Sequence, residues 1–321
     1  MYDTRIVTDL DECQEIWNRA MSREVISDLW GFRACFQQNF DRPACFVVAE
    51  EAGGLYGLIP FSWIEESRCY GYFPGETWKG KTWLEQNRIL NGGGGVLQNL
   101  LDHCPGRYHL RYLLRSELAD QGQCKVDEVG YLFRPPDYAY DLDNYFQEFS
   151  HKSVKRLKRE LASLEASGAR FRYDDVSDFE HLVQLNLINF GASSYFHDHR
   201  FRESFRSLLH YLNENGWLRI TAVDVAGEVA AVDMGCIYRG VYALLAGGTN
   251  RNYPGIAKLI NTHHMRRSCQ ERLKQIDFLC GDFSWKQRFH LKPRPLYLLS
   301  NYSTETHPSE DLELRRVEHF G

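Results

Sequence analysis

The sequence predicts a mixed α/β fold made of two halves, each with a mixed, mostly antiparallel sheet flanked by helices. Runs rich in Val, Ile, Leu and aromatic residues alternate with runs of helical spacing. Two-residue turn signals such as Ala226-Gly227 separate neighbouring strand-like runs, as in antiparallel hairpins. The order of helices, meander, helix and strand occurs before and again after residue 140. A structural repeat is therefore expected, although the halves share no visible sequence identity.

The first half opens with helices. Asp9 or Asp11 is placed to cap a first helix that starts at Leu10. We expect the following elements in order: more helix over 30–40, a hairpin of strands 45–50 and 55–65, a strand over 69–73, helices over 82–90 and 96–103, and strands near 107–115 and 124–133. Pro135-Pro136 continues neither a helix nor a central strand. We therefore place an N-terminal domain at 1–136, a C-terminal domain at 137–303 and a charged tail at 304–321.

The second half begins with a strongly basic helix. Ser150 or Ser153 can cap it and Gly168 can end it. Its cations are Lys152, Lys155, Arg156, Lys158 and Arg159. Such a run is usually a solvated helix face, but it also fits a polyanion such as tRNA, a glycan or the phosphate of a nucleotide.

A three-stranded meander, a loop, a helix and a buried strand follow further helices over 178–190 and 201–213. The strands are expected over 217–225, 228–238 and 241–246, the helix from Ile256 to about 273, and the last strand over 275–279. Pro254 and Gly255 stand where this helix begins. The free N–H groups and positive dipole of a helix start are suited to a pyrophosphate, and Lys258 adds a full positive charge.

This order of elements resembles the core of the GNAT acyltransferase superfamily. More narrowly, the segment DFLCGDFSWKQRF (277–289) is similar to the GD-x-x-[YW]-K block of a GNAT-like branch grouped with cellulose-biosynthesis-associated acetyltransferases, of which the Fem peptidoglycan aminoacyltransferases are cousins. The resemblance covers most of residues 140–300. The usual Q/R-x-x-G-x-G/A signature is absent from the loop, where the chain has NYPGIAK.

The resemblance implies tandem GNAT-like domains, the first of them degenerate, and an acyl-CoA co-substrate, acetyl-CoA or another. The donor would pair with the end of the third meander strand and seat its pyrophosphate at the helix start. The residues implied are Leu244, Leu245, Ala246, Gly247, Gly248, Tyr253, Gly255, Ile256, Ala257 and Lys258. The acceptor would be a small molecule or a glycan-related molecule with an amine or a hydroxyl, bound in a cleft between the domains.

Four residues are candidates for catalysis. Asp282 and Lys286 follow the end of a buried strand, where they can act as base and acid, orient substrate, or form only a structural ion pair. Asp233 lies in an apolar strand, and the alternation of its neighbours leaves open whether it points inward. Tyr297 is a possible acid or simply a core residue.

The loop Tyr195, Phe196 and His197, together with Trp285, is a candidate lining of the acceptor pocket. The His-Asp-His run in that loop lacks the further ligands of a zinc site, so no metal is expected.

Composition limits the class of protein. The formal net charge is -5, which gives no global reason to expect DNA as a partner. The nine cysteines form no C-x-x-C pair, and no secretory signal or membrane-spanning run is visible, so we expect a cytoplasmic protein. The oligomeric state stays open.

Two alternatives to acyl-CoA chemistry remain. One is a Fem-type transfer from aminoacyl-tRNA, which is disfavoured because the chain has no room for the long coiled-coil insertion of those enzymes. The other is a GNAT-like binding module without catalysis.

Overall fold

The computed structural model describes residues 2–52, 54–93, 95–114, 124–281 and 284–302. The strands are β1 (Asp3–Val7), β2 (Ala44–Glu51), β3 (Gly54–Ile64), β4 (Cys69–Tyr72), β5 (Thr77–Trp78), β6 (Lys81–Thr82), β7 (Leu90–Asn91), β8 (His109–Leu113), β9 (Lys125–Phe133), β10 (Arg170–Tyr173), β11 (Leu218–Val225), β12 (Glu228–Tyr238), β13 (Val241–Thr249), β14 (Gln275–Asp277) and β15 (Lys292–Ser300).

The helices carry the predicted caps. They are α1 (Leu10–Ala20), α2 (Trp30–Phe40), α3 (Val96–Asp102), α4 (Leu142–Phe146), α5 (His151–Ala166), α6 (Asp178–Phe190), α7 (His199–Glu214), α8 (Ile256–Gln270) and α9 (Ser284–Arg288). Asp9 accepts a hydrogen bond from the N–H of Glu12, and Ser150 accepts one from the N–H of Ser153. Within the described ranges, none of these helices combines the length and apolar character needed to cross a bilayer.

Two main sheets give the mixed α/β fold that was predicted. The first has the order β1-β2-β3-β4, with β7 also paired to β3, and its pairs are antiparallel. The second has eight strands in the order β10-β11-β12-β13-β14-β9-β15-β8, with β13 and β14 parallel. Strands β1 and β10 were missed from the sequence.

The predicted meander is confirmed as β11, β12 and β13. Both of its turns use two residues of positive φ, Ala226 at 54° with Gly227 at 87°, and Arg239 at 50° with Gly240 at 80°. This is the pattern of type I′ turns, whose twist matches that of antiparallel strands. β14 is shorter than predicted because Leu279, with a φ of 55°, takes a left-handed conformation that ends the strand.

The eight-stranded sheet includes strands from both halves. β8 and β9 precede Pro135, yet β9 pairs with β14 and β15, and β8 pairs with β15. Strands from both sides of the predicted boundary at residue 136 therefore belong to one sheet. The division into domains at this point stays a prediction.

Helices cover both faces of this sheet. One face packs against α2, α6 and α7 in one apolar cluster, so a helix of the first half contributes to the core of the second. The opposite face packs against α4, α5 and α8. Residues of β12 alternate between the faces, with Val232 and Met234 on the first and Asp233 on the second.

The helix predicted over 82–90 is wrong. The segment is extended and runs between the two main sheets, where the backbone N–H of Asn87 donates to the Tyr112 carbonyl and Leu114 donates to the Asn87 carbonyl. Gln86 has a φ of 60°, which a right-handed helix excludes. The prediction failed because tertiary hydrogen bonds hold the segment in another conformation.

Candidate active site

The predicted donor strand separates from its neighbour. β13 pairs with β14 only at Val241, Tyr242 and Ala243, and then continues to Thr249 beside β12. The pairing of β12 with β13 shifts its register between the pairs Met234–Ala246 and Gly235–Leu244. Leu245 lies at this irregularity. The predicted donor-binding residues Leu244 to Gly248 therefore lie where β13 has left β14, as a strand must if it is to pair with an extended ligand.

Helix α6 also contacts this part of β13. The side-chain amide of Asn186 donates to the Gly247 carbonyl over 2.8 Å, and that of Asn189 donates to the Thr249 carbonyl over 2.6 Å. These two carbonyl oxygens are thus already hydrogen-bonded. A donor arm at this edge would bond to N–H groups or displace the two amides.

The loop after β13 closes in a tight turn that starts α8. The N–H of Ile256 donates to the Tyr253 carbonyl, and Gly255 has a φ of 88°, a left-handed conformation that suits glycine. The amides of Ala257 and Lys258 lie in the first turn, where a helix offers N–H groups without helical partners. The helix thus starts where the sequence predicts, and its role as an anion site stays a prediction.

The charge at this helix start is partly neutralised. Lys258 Nζ lies 2.6 Å from a carboxylate oxygen of Glu160 on α5, and the Tyr253 hydroxyl donates to Glu228 over 2.9 Å. The contact between Lys258 and Glu160 also places the basic helix α5 beside the turn.

A buried polar cluster lies at the end of β14. Asp277, 1% exposed, accepts hydrogen bonds on Oδ2 from Gln86 Nε2 over 2.9 Å and from Arg294 Nη1 over 2.7 Å. Its Oδ1 accepts the N–H of Leu279 over 3.0 Å. The carboxylate thus joins β14, β15 and the extended segment of the first half.

Glu85 completes this cluster and was missed from the sequence. Its Oε1 accepts the N–H of Cys280 over 2.7 Å, whereas its buried Oε2 has no hydrogen-bond partner among the described residues. Burial raises the pKa of this carboxyl to about 7, and the Asp277 carboxylate adds to the shift. A carboxyl of this pKa exchanges a proton near neutral pH, as a general base must.

The signal for Glu85 was weak. It lies in the run Trp83-Leu84-Glu85-Gln86-Asn87, which has the composition of an amphipathic helix. The residues with which Glu85 and Gln86 interact are about 190 positions away, as the bonds to Cys280 and Asp277 show. Only the turn glycines on its N-terminal side, Gly75 and Gly80, indicated a non-helical segment.

Lys286, a predicted catalytic residue, has a structural role in this conformation. Its buried Nζ donates to the carbonyls of Phe278, Leu279 and Cys280 over 2.9, 2.9 and 2.7 Å. Burial lowers its pKa to about 8, against the effect of the nearby Glu85 carboxylate. The lysine therefore holds the loop that presents the Cys280 N–H to Glu85. Asp282, its predicted partner, lies outside the described residues.

Asp233 lies apart from this cluster and from Tyr297. Asp233 is buried and points inward, with Oδ2 at 3.0 Å from His264 Nε2 of α8. It is on the opposite face of the sheet from Asp277, which pairs with Ala243 on the face of α6 and α7. Tyr297 is on β15, four strand spacings or about 19 Å from β12. A single active site does not include both.

The predicted acceptor residues take different positions. The Tyr195 hydroxyl donates to the Thr82 carbonyl over 3.2 Å, beside the segment that carries Glu85. Phe196 is buried in the core, and His197 stacks on Trp78 at 6.1 Å between ring centroids. Trp285 packs edge-on against Phe278 and Phe289. Acceptor roles for all four stay predictions.

Metal ligands are not grouped in the described part of the chain. Within it, no set of three or more His, Cys, Asp or Glu side chains is arranged to hold a metal ion.

Comparison with known proteins identifies the fold. Residues 151–287 match the family model of the acetyltransferase (GNAT) domain. No curated protein matches the sequence. The matched stretch contains β11 to β14 and α8, the elements that form the candidate donor edge.

Solved structures resemble nearly the whole chain. A conserved protein of unknown function from Bacteroides thetaiotaomicron is 13% identical with a TM-score of 0.59, and the match covers 94% of this chain and 99% of that one. FemX is 8% identical with a TM-score of 0.59 over 92% and 97% of the two chains. L-PGS from Bacillus licheniformis is 12% identical with a TM-score of 0.56 over 97% of each. At these identities the likeness concerns the fold alone, and together with the family-model match it shows a GNAT fold.

Proposed function

We propose that the protein is an N-acyltransferase that moves an acyl group from acyl-CoA to an amine of a small-molecule or glycan-related acceptor. The observation that carries this proposal is the parting of β13 from β14 next to the Glu85–Asp277 cluster. An extended thioester lying along β13 would bring its reactive end toward the end of β14. A carboxylate able to accept a proton lies there.

Donor binding rests on the turn at the start of α8. The amides of Ala257 and Lys258 and the ammonium of Lys258 would provide hydrogen bonds and positive charge for a pyrophosphate. Those N–H groups of Leu244–Gly248 that face away from β12 would pair with the pantetheine arm. Acetyl-CoA or another acyl-CoA would fit these groups.

Glu85 would act as the general base. In the step, the amine nitrogen attacks the thioester carbonyl, a C–N bond forms, and the amine proton passes to Glu85 Oε2. The C–S bond then breaks and the CoA thiolate leaves, taking up a proton to become the free thiol. Most of the rate enhancement would come from holding amine and thioester together.

Calorimetric titration with acetyl-CoA tests donor binding. Three variants are compared with the wild type: Lys258→Gln, Glu160→Gln, and Lys125→Gln as a control on an exposed lysine of β9. We expect micromolar binding that weakens about tenfold in Lys258→Gln and tightens in Glu160→Gln, since Glu160 competes for the same charge. Absence of binding by the wild type would exclude the proposal.

A second function is favoured by one observation. The basic helix α5 contacts the donor turn through Glu160 and Lys258, and its five cations would also suit the backbone of a charged tRNA. Aminoacyl transfer from tRNA would then replace acyl-CoA chemistry. A gel shift with aminoacylated tRNA that weakens steeply with salt, together with no binding of acetyl-CoA, would establish this alternative.

A non-catalytic binding module is the third candidate. It is favoured by the amides of Asn186 and Asn189, which already hold two carbonyls of the donor edge. This function is supported if the wild type binds neither acetyl-CoA nor tRNA and if the Asn186→Ala variant does not bind acetyl-CoA either.

A further inference from the structure

A groove on the first half of the chain lies outside the candidate active site. It lies beside β3, β4 and the turn that precedes β8, and its volume of about 770 Å³ is in the range of small-molecule sites. Two aromatic residues, two arginines, two prolines and one glycine line it. None of them belongs to the proposed donor edge or to the Glu85–Asp277 cluster. The groove is therefore a second place at which a ligand could bind.

Two aromatic rings lie side by side in the groove. Trp63 on β3 and Tyr70 on β4 are register partners, with ring centroids 5.0 Å apart at an angle of 60°. Both are half-buried and line the groove. The indole N–H of Trp63 donates to Glu65 over 2.7 Å, which holds the ring in place and leaves its face to a ligand. Such rings suit a planar group, because aromatic faces and edges attract one another.

A glycine keeps the space beside Tyr70 free. A Cβ at Gly106 would lie 3.5 and 3.8 Å from two carbons of the Tyr70 ring, in ordinary van der Waals contact. The φ of Gly106 is not positive, so the backbone conformation does not require glycine here. A larger side chain would occupy space next to the ring. Pro43 and Pro105 border the groove with apolar surface and no N–H donor.

The groove also carries two guanidinium groups. The N–H of Tyr70 donates to the Arg107 carbonyl over 2.7 Å, which places Arg107 beside Tyr70, and Arg68 lies two residues before Tyr70. Both arginines are exposed, and neither forms an ion pair among the described residues. The Arg107 guanidinium lies 5.6 Å from the ring centroid of Tyr302, a contact that leaves its charge in place.

The acidic residues nearby leave positive charge in excess. Glu66 is bound to two other arginines, Arg42 over 2.6 Å and Arg200 over 3.2 Å. Glu65, which accepts from Trp63, balances one of the two groove arginines. One positive charge of the groove therefore remains, in a protein whose formal net charge is -5. A planar guanidinium binds a phosphate with two parallel N–H donors.

We propose that this groove binds a nucleotide, that is, a planar base that carries a phosphate. The base stacks on the ring surface of Trp63 and Tyr70, and Arg68 and Arg107 bind the phosphate. Stacking on aromatic side chains next to positive charge is the general way in which proteins hold an unpaired base. The site goes beyond the proposed function, since no residue of the groove takes part in donor binding or in catalysis.

Three molecules that share a ribose test the proposal with the full-length protein. AMP has the base and the phosphate, adenosine has only the base, and ribose 5-phosphate has only the phosphate. Binding of each is measured by calorimetric titration at low salt. We expect AMP to bind about tenfold more tightly than either of the others, because base and phosphate each make their own contacts. Equal binding of AMP and one of the two others, or no binding of AMP, would overturn the proposal.

Two substitutions locate the bound nucleotide. Arg107→Gln removes one charge, and Gly106→Leu fills the space beside Tyr70 without removing a group of the lining. Each should weaken AMP binding about tenfold. Arg170→Gln is the matched control, since Arg170 is an exposed arginine of β10 without an ion pair among the described residues, and it should change nothing. Far-ultraviolet circular dichroism and thermal melts show whether each variant folds.

Unchanged AMP binding in the folded Arg107→Gln variant would place the nucleotide elsewhere on the chain and overturn the proposal, whether or not Gly106→Leu folds. AMP is also titrated into the wild type in the presence of acetyl-CoA, because CoA contains a phosphorylated adenosine. Binding of both together supports two sites. Displacement of AMP by acetyl-CoA would mean one shared site and would overturn a separate nucleotide site. If acetyl-CoA does not bind at all, the proposed function fails, and the titrations with AMP still decide this inference.

Discussion

Glu85 determines the pH range in which the proposed site can work. Its carboxyl is held between the Cys280 N–H, which stabilises the charged form, and burial beside Asp277, which opposes it. Burial is the larger effect, so the pKa rises to about 7. The residue therefore changes from acid to base across the neutral range.

The pH profile of kcat/KM tests this role of Glu85. Since the base form is the active one, the rate should rise about tenfold per pH unit below 7 and level off above it. In Glu85→Gln the rate should fall at least a hundredfold and this rise should disappear, while binding of acetyl-CoA is retained. A rise near pH 7 that persists in Glu85→Gln would assign it to another group.

Glu85 also affects stability in a defined direction. Its pKa is about 7 in the folded protein against 4.5 for the free side chain, so the unfolded state releases its proton at lower pH. The contribution of this group to stability is present below about pH 4.5 and is lost as the pH rises through 7. Chemical unfolding at pH 5 and pH 8 should therefore show a smaller decrease for Glu85→Gln than for the wild type. An equal decrease in both proteins would contradict the raised pKa.

A glycine controls the packing of α6 on the donor strand. A Cβ at Gly248 would lie 2.8 Å from both the Leu182 carbonyl oxygen and the Leu185 Cβ, so Gly248→Ala must push α6 away. We expect a loss of about 1–3 kcal/mol in the free energy of unfolding. Gly54→Ala, where the nearest atom is at 3.4 Å, is the matched control and should change little. Equal effects of the two substitutions would mean that α6 is not held at this position.

At the scale of elements, the loop between β14 and α9 depends on one buried cation. Lys286→Met removes three hydrogen bonds to the carbonyls of Phe278, Leu279 and Cys280 and leaves those oxygens to find other partners. The expected cost is about 1–3 kcal/mol of unfolding free energy, with a fall in activity because the Cys280 N–H no longer positions Glu85. Lys286→Arg should recover part of both. Full stability with lost activity would instead make Lys286 a catalytic residue.

The elements that the sequence predicted are those defined by local signals. Asp9 and Ser150 cap helices where expected, and the turns at Ala226-Gly227 and Arg239-Gly240 place β11, β12 and β13. These residues act on their immediate neighbours in the chain. The segment 82–90 was predicted wrongly because its conformation depends on bonds to residues far along the chain, which periodicity does not reveal.

The same difference applies to the candidate site. The elements of the proposed donor edge could be placed from the sequence because a strand, a Pro-Gly turn and a helix start are contiguous between 241 and 258. Glu85 and Arg294 could not be placed at the site from the sequence, since they belong to different elements of the fold. The contact of Glu85 with Cys280 and that of Arg294 with Asp277 form only after folding. The contact of Asp233 with His264 could not be predicted either, because the alternation of residues along β12 did not show to which face of the sheet the Asp233 side chain points.

At the scale of the molecule, the halves are bound together through one sheet and one core. β15 lies between β9 and β8, both from the first half, and α2 packs on α7. A fragment 137–302 therefore lacks two strands and part of a core. We expect it to show no cooperative thermal transition, whereas a fragment 107–302, which retains β8 and β9, should be more compact by size-exclusion chromatography. A cooperative melt of 137–302 close to that of the full chain would establish an independent domain after residue 136.

The most direct test of the central claim is hydrogen exchange with and without acetyl-CoA, followed by mass spectrometry of peptides along the chain. Acetyl-CoA bound as proposed should slow exchange at the amides of residues 244–258 and at the loop 278–280, while the amides of β1 to β4 remain unchanged. Protection confined to other regions, or no protection at saturating acetyl-CoA, would contradict the account of an acyl-CoA site where β13 leaves β14.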